Sequence, residues 1–224
     1  MAEFTDLTVV IPALNEARTI ASVIEANLRI AGSVVIVDDG STDGTGEIAR
    51  KSGATVVRND EPTGYDAAIA AGMNRAFEQG AVAVVTCDAD GQHRGEDVRE
   101  VSAKVLREGY DYCAGVRDHY NRPIEAVLGL VSRPLFGTRD PFCGLRCYSR
   151  KIYEKFGPFP PQLNVGTLPM LWIQSSGLRG TFLPIRMEKR ADHPRFARRI
   201  RANWLLFSAF ARTTGAYLTG GRRS

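Results

Sequence analysis

Two aspartates separated by one residue follow an apolar run near the middle of the chain. Residues 84–93 read VVTCDADGQH, so Asp88 and Asp90 stand beside Gln92 and His93, which can also ligate a metal. Because residues i and i+2 of a strand point to the same side, the two carboxylates can converge on one hard cation. Oxygen ligands suit Mg²⁺ or Mn²⁺, and His93 could add a nitrogen to a manganese site. A solvated acidic turn is the alternative for an isolated D-x-D pair.

A second pair of carboxylates follows another apolar run. Residues 34–49 read VVIVDDGSTDGTGEIA, in which Asp38 and Asp39 precede a polar turn and a short helix. A carboxylate at this place can accept from the imide N–H of uracil, accept from the N–H groups of guanine, or hold a ribose hydroxyl. The turn residues 41–43 are also good helix caps. Both interpretations can hold, with Asp39 binding a nucleotide and the turn capping the helix.

A third polar segment lies nearest the N-terminus. VVIPALNEARTI places Pro12, Asn15 and Glu16 directly before a helix. Asn15 or Glu16 could be an ordinary first-turn residue favoured by the helix dipole, so this segment alone indicates no function.

The elements that must position these segments alternate between strand and helix. Apolar β-branched runs predict strands, and helical spacing or capping residues predict the helices between them. The strands are predicted at 7–14, 33–40, 54–60, 81–90 and 111–117, and the helices within 17–30, 41–53, 65–80 and 96–109. Such alternation predicts an α/β fold with a mostly parallel sheet that is covered by helices. Ligands of these sheets bind beyond the carboxyl ends of the strands, where all three polar segments fall.

The composition excludes several classes of protein. The chain has 224 residues, of which 44% are hydrophobic and 24% charged, as in ordinary soluble domains. No signal-peptide pattern opens it, and no window reaches the roughly 18 to 20 apolar residues of a membrane span, so we expect a cytoplasmic protein. The four cysteines lack C-x-x-C spacing, which favours reduced, buried thiols over a zinc site.

The C-terminal part of the chain is basic and amphipathic. Basic residues outnumber acidic ones between 186 and 201. Apolar residues recur at helical spacing from the end of this range onward, at Phe196, Ile200, Trp204, Phe207 and Ala211. Cations ahead of aromatic residues are typical of a helix at a membrane surface, while packing against the domain or a partner subunit is the alternative. We predict one domain over 1–190 and an amphipathic extension over 191–224 that is not an independent domain.

In combination, the three polar segments resemble those of inverting nucleotide-sugar glycosyltransferases with the GT-A fold, glycosyltransferase family 2. That family shows a P-x-x-N-E start, a D-D-G-S-x-D-G-T turn and a D-A-D metal motif in this order. Within the family, the chain is most similar to dolichyl- and polyprenyl-phosphate sugar synthases. The similarity rests on AGVRDHY (114–120), RDPFCGLRCYSRKI (139–152) and LPIRMEKRADHPRF (183–196).

The resemblance implies a GT-A fold, which is Rossmann-like, and a set of site residues. It implies that catalysis depends on Asp88, Asp90, Arg117 and Asp140, the last as a base if the acceptor is a hydroxyl. It implies a metal, Mg²⁺ or Mn²⁺, on Asp88, Asp90 and Gln92. It implies a nucleotide-sugar site formed by Pro12, Leu14, Glu16, Val37, Asp39, Asp88, Ala89 and Asp90. It implies an acceptor-phosphate site formed by Arg117, Arg133, Arg190 and Arg195.

The function that this resemblance implies is sugar transfer, with inversion, from a GDP- or UDP-linked donor to a polyprenyl or dolichyl phosphate. The expected partners are this donor, a lipid phosphate acceptor, and the cytoplasmic membrane face or a membrane-embedded protein, without nucleic acid. One alternative keeps the donor chemistry but uses a hydroxyl acceptor of a polysaccharide or natural product. Another is a noncatalytic nucleotide- or nucleic-acid-binding module, against which the intact D-A-D-G-Q cluster argues.

Overall fold

A single seven-stranded sheet organises the part of the chain that the computed structural model describes. The described residues are 2–118, 129–130, 132–133, 137–138, 140–161, 169–170 and 176–188. The strands are β1 (Phe4–Ala13), β2 (Ala31–Asp39), β3 (Thr55–Asn59), β4 (Ala83–Thr86), β5 (Tyr112–Arg117), β6 (Arg146–Ser149) and β7 (Gly180–Ile185). The helices are α1 (Ile20–Leu28), α2 (Thr45–Lys51), α3 (Tyr65–Glu78), α4 (Gly95–Leu106) and α5 (Arg150–Phe156).

The sheet is mixed, with one strand reversed. Its strand order is β3-β2-β1-β4-β6-β5-β7, and β6 pairs antiparallel with both β4 and β5 while every other pair is parallel. The predicted mostly parallel α/β sheet is therefore confirmed. Strand β6 and helix α5 were not predicted, because they follow a segment rich in proline and glycine that obscures any periodicity.

Both faces of the sheet are buried, which explains the unbroken apolar runs of its central strands. Along β1, Val9 and Ile11 belong to a core that includes residues of α1 and α4. Val10 lies between them in sequence and belongs to the opposite core, with Met73 and Phe77 of α3. This alternation follows from the two-residue period of a strand, and continuous burial requires apolar residues at consecutive positions.

The carboxyl ends of β1, β2 and β4 are adjacent because these strands are neighbours and parallel. Strand β4 ends at Thr86, earlier than predicted, so Asp88 and Asp90 lie in the loop beyond it. The four cysteines are buried free thiols, as predicted. Within the described residues, no helix has the length and apolar character needed to cross a membrane.

Helix α3 lies so close to the sheet that one of its positions has no room for a side chain. A Cβ atom added to Gly72 would lie 2.5 Å from Val10 Cγ1 and 2.8 Å from Val37 Cγ2. We expect Gly72→Ala to push the helix outward and to lower the free energy of unfolding by about 1–3 kcal/mol, measured by urea denaturation. Gly95→Ala is the matched control, because its Cβ would meet only Ile30 Cδ1 at 3.4 Å. Equal stability of the two variants would contradict this close packing.

Candidate active site

The polar segments that follow β1 and β2 form one interlocked structure at the carboxyl edge of the sheet. The backbone N–H of Asn15 donates to Ser41 Oγ at 2.9 Å, and Asn15 Oδ1 accepts from the N–H of Thr42 at 2.8 Å. The N–H of Glu16 donates to Thr45 Oγ1 at 2.8 Å. Asn15 holds a positive φ of 55°, which asparagine tolerates better than most residues. The asparagine of P-x-x-N-E therefore connects the exits of β1 and β2.

The two neighbouring aspartates at the end of β2 have different roles. Asp38 is fully buried, accepts from the N–H of Ser41 at 2.9 Å, and forms an ion pair with Arg58. These contacts make Asp38 a structural residue of the turn. The N-cap of α2 is Gly44, which makes no side-chain cap hydrogen bond, and Asp43 Oδ1 accepts from the N–H of Thr45, the first helical residue, at 3.0 Å.

Asp39 binds both ends of the connection between β3 and α3. Its Oδ1 accepts three hydrogen bonds, each 2.8 Å long, from Asn59 Nδ2 and from the N–H and Oγ1 of Thr63. Its Oδ2 accepts from the N–H of Gly64 at 2.9 Å. Burial raises the pKa of Asp39, but these hydrogen bonds outweigh burial and bring the pKa below its ordinary value. Asp39 is thus an ionised carboxylate whose Oδ1 accepts more hydrogen bonds than its Oδ2.

Asp88 is held from both sides by hydrogen-bond donors. Tyr65 Oη donates to Asp88 Oδ1 at 2.9 Å, and His93 Nε2 lies 3.1 Å from Asp88 Oδ2. Burial raises the pKa of Asp88, but the hydrogen bonds from His93 and Tyr65 more than compensate, so the pKa is lowered. The carboxylate is 32% exposed and is therefore ionised, oriented and accessible.

The loop after β4 carries the two carboxylates that are predicted to bind a divalent cation, Asp88 and Asp90. Asp90 Oδ1 accepts from the N–H of Gln92 at 3.0 Å, which folds this loop back on itself. Gln92 Nε2 donates to the carbonyl of Glu188 at 3.1 Å, so any contribution of this side chain to a cation would come from Oε1. No group of three or more His, Cys, Asp or Glu in the described ranges could hold a metal. Two carboxylates that leave positions for phosphate oxygens are typical of Mg²⁺ sites.

Arg117 and Asp140 are paired with each other. Arg117 Nε donates to Asp140 Oδ2 at 2.9 Å and its Nη2 donates to Oδ1 at 2.7 Å. The backbone N–H of Arg117 also donates to Oδ2 at 2.9 Å. The two residues are 8% and 1% exposed. The roles predicted for Arg117 as a phosphate ligand and for Asp140 as a base remain predictions, and Asp140 could accept a proton only if this buried pair opened.

The remaining predicted site residues are distributed unevenly. Leu14 is 41% exposed at the edge of the site, whereas Val37 is fully buried in the sheet and has no side-chain surface for a ligand. Ala89 is also buried, so it could contact a nucleotide only through its backbone. Pro12 and Glu16 are partly exposed. Arg190, Arg195 and the predicted C-terminal helix lie outside the described residues.

Arg133 is exposed and lines a cavity of about 250 Å³. The other lining residues include Val116 and Thr138, which lie within two positions of the paired Arg117 and Asp140. Arg133, which is predicted to bind the acceptor phosphate, therefore lines a cavity next to the pair formed by Arg117 and Asp140.

Three contributors to the site were not singled out from the sequence. Tyr65 is 50% exposed at the first position of α3 and binds Asp88, and Thr63 binds Asp39. Gly144 lies against Asp88, since a Cβ atom added to it would be 2.8 Å from both carboxylate oxygens. The sequence does show the glycine of C-G-L-R and the run T-G-Y at the start of α3. The aspartates that these residues contact are distant in the chain, so the sequence does not indicate the contacts.

The sequence and the fold agree with those of known glycosyltransferases. Residues 8–127 match the family model described as Glycosyl transferase family 2. The chain belongs to glycosyl transferase family 2. This assignment confirms the GT-A glycosyltransferase fold that the resemblance implied, and it makes the protein an enzyme.

Several relatives in this family carry names that refer to lipid phosphates. A dolichyl-phosphate hexose transferase of Haloferax volcanii is 32% identical over 68% of this chain and 71% of its own length. A UDP-N-acetylglucosamine–dolichyl-phosphate N-acetylglucosaminyltransferase of Methanococcus voltae is 27% identical over 77% of this chain and 88% of its own. Protein MJ1222 of Methanocaldococcus jannaschii is 41% identical, but the match spans only 50% of this chain and 46% of that protein.

Solved structures share the fold. Glucosyl-3-phosphoglycerate synthase from Mycobacterium tuberculosis, in complex with Mn²⁺ and UDP-glucose, superposes with a TM-score of 0.70 at 21% identity, covering 93% of this chain and 79% of that one. Mannosyl-3-phosphoglycerate synthase from Rubrobacter xylanophilus gives a TM-score of 0.68 at 20% identity, covering 92% and 73%. At these identities, the likeness shows the fold alone.

The contact between Gly144 and Asp88 provides a test of the metal site. We expect Gly144→Ala to displace the Asp88 carboxylate and to weaken Mn²⁺ binding by about tenfold or more, measured by calorimetry, because ligand orientation contributes this much to metal affinity. The Gly95→Ala variant should bind Mn²⁺ as the unchanged protein does. Unaltered binding by Gly144→Ala would contradict the placement of Asp88 at the metal.

Proposed function

We propose that the protein is a metal-dependent, inverting glycosyltransferase that moves a sugar from a nucleotide donor to a polyprenyl or dolichyl phosphate. The observation that carries this proposal is that Asp39 and Asp88 both bind the start of α3, through Thr63, Gly64 and Tyr65. One carboxylate suited to a nucleoside and one suited to a phosphate-bound metal are thereby linked across the exits of β2 and β4, which flank β1. The relatives named as dolichyl-phosphate transferases support the lipid acceptor.

The donor half of the reaction follows from the carboxylates at the sheet edge. Asp88 and Asp90 would hold Mg²⁺ or Mn²⁺ against the diphosphate of the donor. Such an ion stabilises the negative charge that develops on the departing nucleoside diphosphate. Tyr65 and His93 orient the Asp88 carboxylate, so little reorganisation of this side chain is needed when the bond to the sugar breaks.

The buried pair of Arg117 and Asp140 favours a phosphate acceptor over a hydroxyl acceptor. A hydroxyl must lose a proton during transfer, which calls for a general base within hydrogen-bond reach. A lipid phosphate is already an anion and needs no base. Because both oxygens of Asp140, the base predicted for a hydroxyl acceptor, are bound by Arg117, the ground-state arrangement suits the anionic acceptor. Arg133, Arg190 and Arg195 stay the predicted cations for that phosphate.

The hydrogen bonds of Asp39 favour uridine over guanosine in the donor. Carboxylate oxygens offer about four acceptor sites in all. Asp39 Oδ1 already accepts three donors, whereas Oδ2 accepts only Gly64 N–H. Oδ2, which accepts one hydrogen bond, would suit the single imide N–H of uracil. The paired N–H groups of guanine would need an acceptor site on each oxygen.

We also propose that the basic extension over 191–224 brings the enzyme to an anionic membrane surface on the cytoplasmic side. The support is the sequence pattern of cations ahead of Trp204 and Phe207. A membrane-embedded partner is the other surface that this pattern would suit.

The transfer reaction tests the central proposal. Radiolabelled UDP- and GDP-sugars should be incubated with a short polyprenyl phosphate, with a sugar acceptor, or with no acceptor, and the products resolved by chromatography. We expect a labelled lipid that requires Mg²⁺ or Mn²⁺, and a loss of about 100-fold or more in rate for Asp90→Asn, because metal-assisted leaving-group departure is worth several kcal/mol. Transfer only to the sugar acceptor would establish the hydroxyl alternative. A metal-independent lipid product would refute the metal model.

Nucleotide binding tests the choice of base. We expect UDP to bind about tenfold or more tightly than GDP, because one hydrogen bond to a charged group contributes about 1.5–3 kcal/mol. Asp39→Asn should remove most of this preference, measured by calorimetry with UDP and GDP. Asp60→Asn is the control, since Asp60 is an exposed carboxylate in the connection between β3 and α3 that Asp39 binds. Tighter binding of GDP to the unchanged protein would rule out the uridine assignment.

A further inference from the structure

Gln92, in the loop after β4, forms hydrogen bonds through three of its polar groups. Its backbone N–H donates to Asp90 Oδ1 at 3.0 Å. Its backbone carbonyl accepts from the N–H of Glu188 at 3.0 Å, and its side-chain Nε2 donates to the carbonyl of Glu188 at 3.1 Å. Two hydrogen bonds of opposite direction therefore join the loop that carries Asp88 and Asp90 to the segment that follows β7.

The order of the strands does not by itself bring these two segments together. Strands β4 and β7 are separated by β6 and β5. Neighbouring strands lie about 4.8 Å apart, so β4 and β7 are about 14 Å apart within the sheet. The link between Gln92 and Glu188 thus crosses two strands at the carboxyl edges of β4 and β7.

Residues 186–188 also adjoin the predicted acceptor side of the site. Strand β7 ends at Ile185, which pairs with Arg117 at the end of β5. Met187 packs against the core that includes residues of α1 and α4. The predicted phosphate ligand Arg190 follows Glu188 by two positions in the sequence, and two residues of chain span at most about 7 Å. A contact that fixes Glu188 therefore limits how far Arg190 can lie from it.

The two ends of the Gln92 amide suit two different partners. Because a backbone carbonyl only accepts, Nε2 is the end that faces Glu188. Oε1 takes no part in this bond, so it is the atom that the predicted cation would contact. A cation at Oε1 and a carbonyl at Nε2 favour the same orientation of the amide. Each of these two interactions would therefore strengthen the other.

We propose that Gln92 is a positioning residue that couples the two sides of the site, so that a nucleotide and metal at Asp88 tighten the binding of a lipid phosphate. The pair of hydrogen bonds to Glu188 carries this coupling. By thermodynamic reciprocity, a bound lipid phosphate would tighten nucleotide binding by the same factor. The inference rests on the proposed function for the identity of the ligands, whereas the link between the two segments is independent of them.

Two substitutions separate the two uses of the amide. Gln92→Glu keeps an oxygen that can bind a cation, but it replaces the Nε2 donor with an acceptor that faces the Glu188 carbonyl. Gln92→Ala removes both. Gln79→Glu is the matched control, because it makes the same chemical change at an exposed position at the C-terminal end of α3.

Hydrogen–deuterium exchange, measured by mass spectrometry, tests the link without any ligand. We expect peptides that contain residues 186–188 to exchange about threefold or more faster in Gln92→Glu and Gln92→Ala, which is the effect of losing one hydrogen bond. Gln79→Glu should exchange as the unchanged protein does. Equal exchange in all four proteins would overturn the inference.

Binding of a short polyprenyl phosphate, measured by calorimetry, tests the coupling. We expect saturating Mn²⁺ and UDP to tighten this binding by about fivefold or more in the unchanged protein and in Gln79→Glu, as is typical of coupled sites. Gln92→Glu, saturated with the same ligands, should show little or no tightening. The same tightening in Gln92→Glu, or none in the unchanged protein, would refute the coupling.

These outcomes separate the inference from the proposed function. If the unchanged protein binds no polyprenyl phosphate, the acceptor part of the proposed function fails, and the exchange rates alone decide whether Gln92 joins the two segments. If the lipid phosphate binds and Mn²⁺ with UDP tightens it equally in the unchanged protein and in Gln92→Glu, the proposed function stands and the inference fails.

Discussion

The carboxylate of Asp39 is the interaction on which the geometry of the site depends. It binds the N–H groups of Thr63 and Gly64 and thereby fixes where α3 begins. The next residue is Tyr65, whose hydroxyl binds Asp88. An ionised group at the end of β2 thus determines the position of a donor that orients the Asp88 carboxylate beyond β4. The proposed nucleoside and diphosphate contacts would therefore be coupled through three consecutive residues, Thr63, Gly64 and Tyr65, as well as through the sheet.

The charged side chains are arranged differently in the proposed donor and acceptor parts of the site. On the donor side, Asp39 and Asp88 are ionised, with pKa values that hydrogen bonds lower, and they present negative charge to a cation or an N–H donor. On the acceptor side, Arg117 and Asp140 cancel each other in a buried pair. Removing one member of such a pair leaves an uncompensated buried charge, which typically costs about 3–5 kcal/mol.

Much of the donor half was predictable from the sequence, because each aspartate there follows an apolar run that must be a strand. That pattern predicts the ends of the strands, the parallel direction of most strands, and the positions of Asp39 and Asp88 beyond them. The partners of these residues were not predictable, because Tyr65 reads as an ordinary helix residue. Likewise, the 23-residue separation of Arg117 and Asp140 carries no local signal. Strand β6 has only four residues, too few to show a period.

The reversed strand β6 has a consequence for how the fold can diversify. Because β6 runs against its neighbours, the chain that leaves β5 at the carboxyl edge also re-enters the sheet from that edge. Hydrogen bonds join Arg117, the last residue of β5, to Asp140, which lies before β6. Because both ends of this stretch of sequence are fixed in this way, we expect insertions or deletions between Arg117 and Asp140 to be tolerated without a change in the register of the sheet.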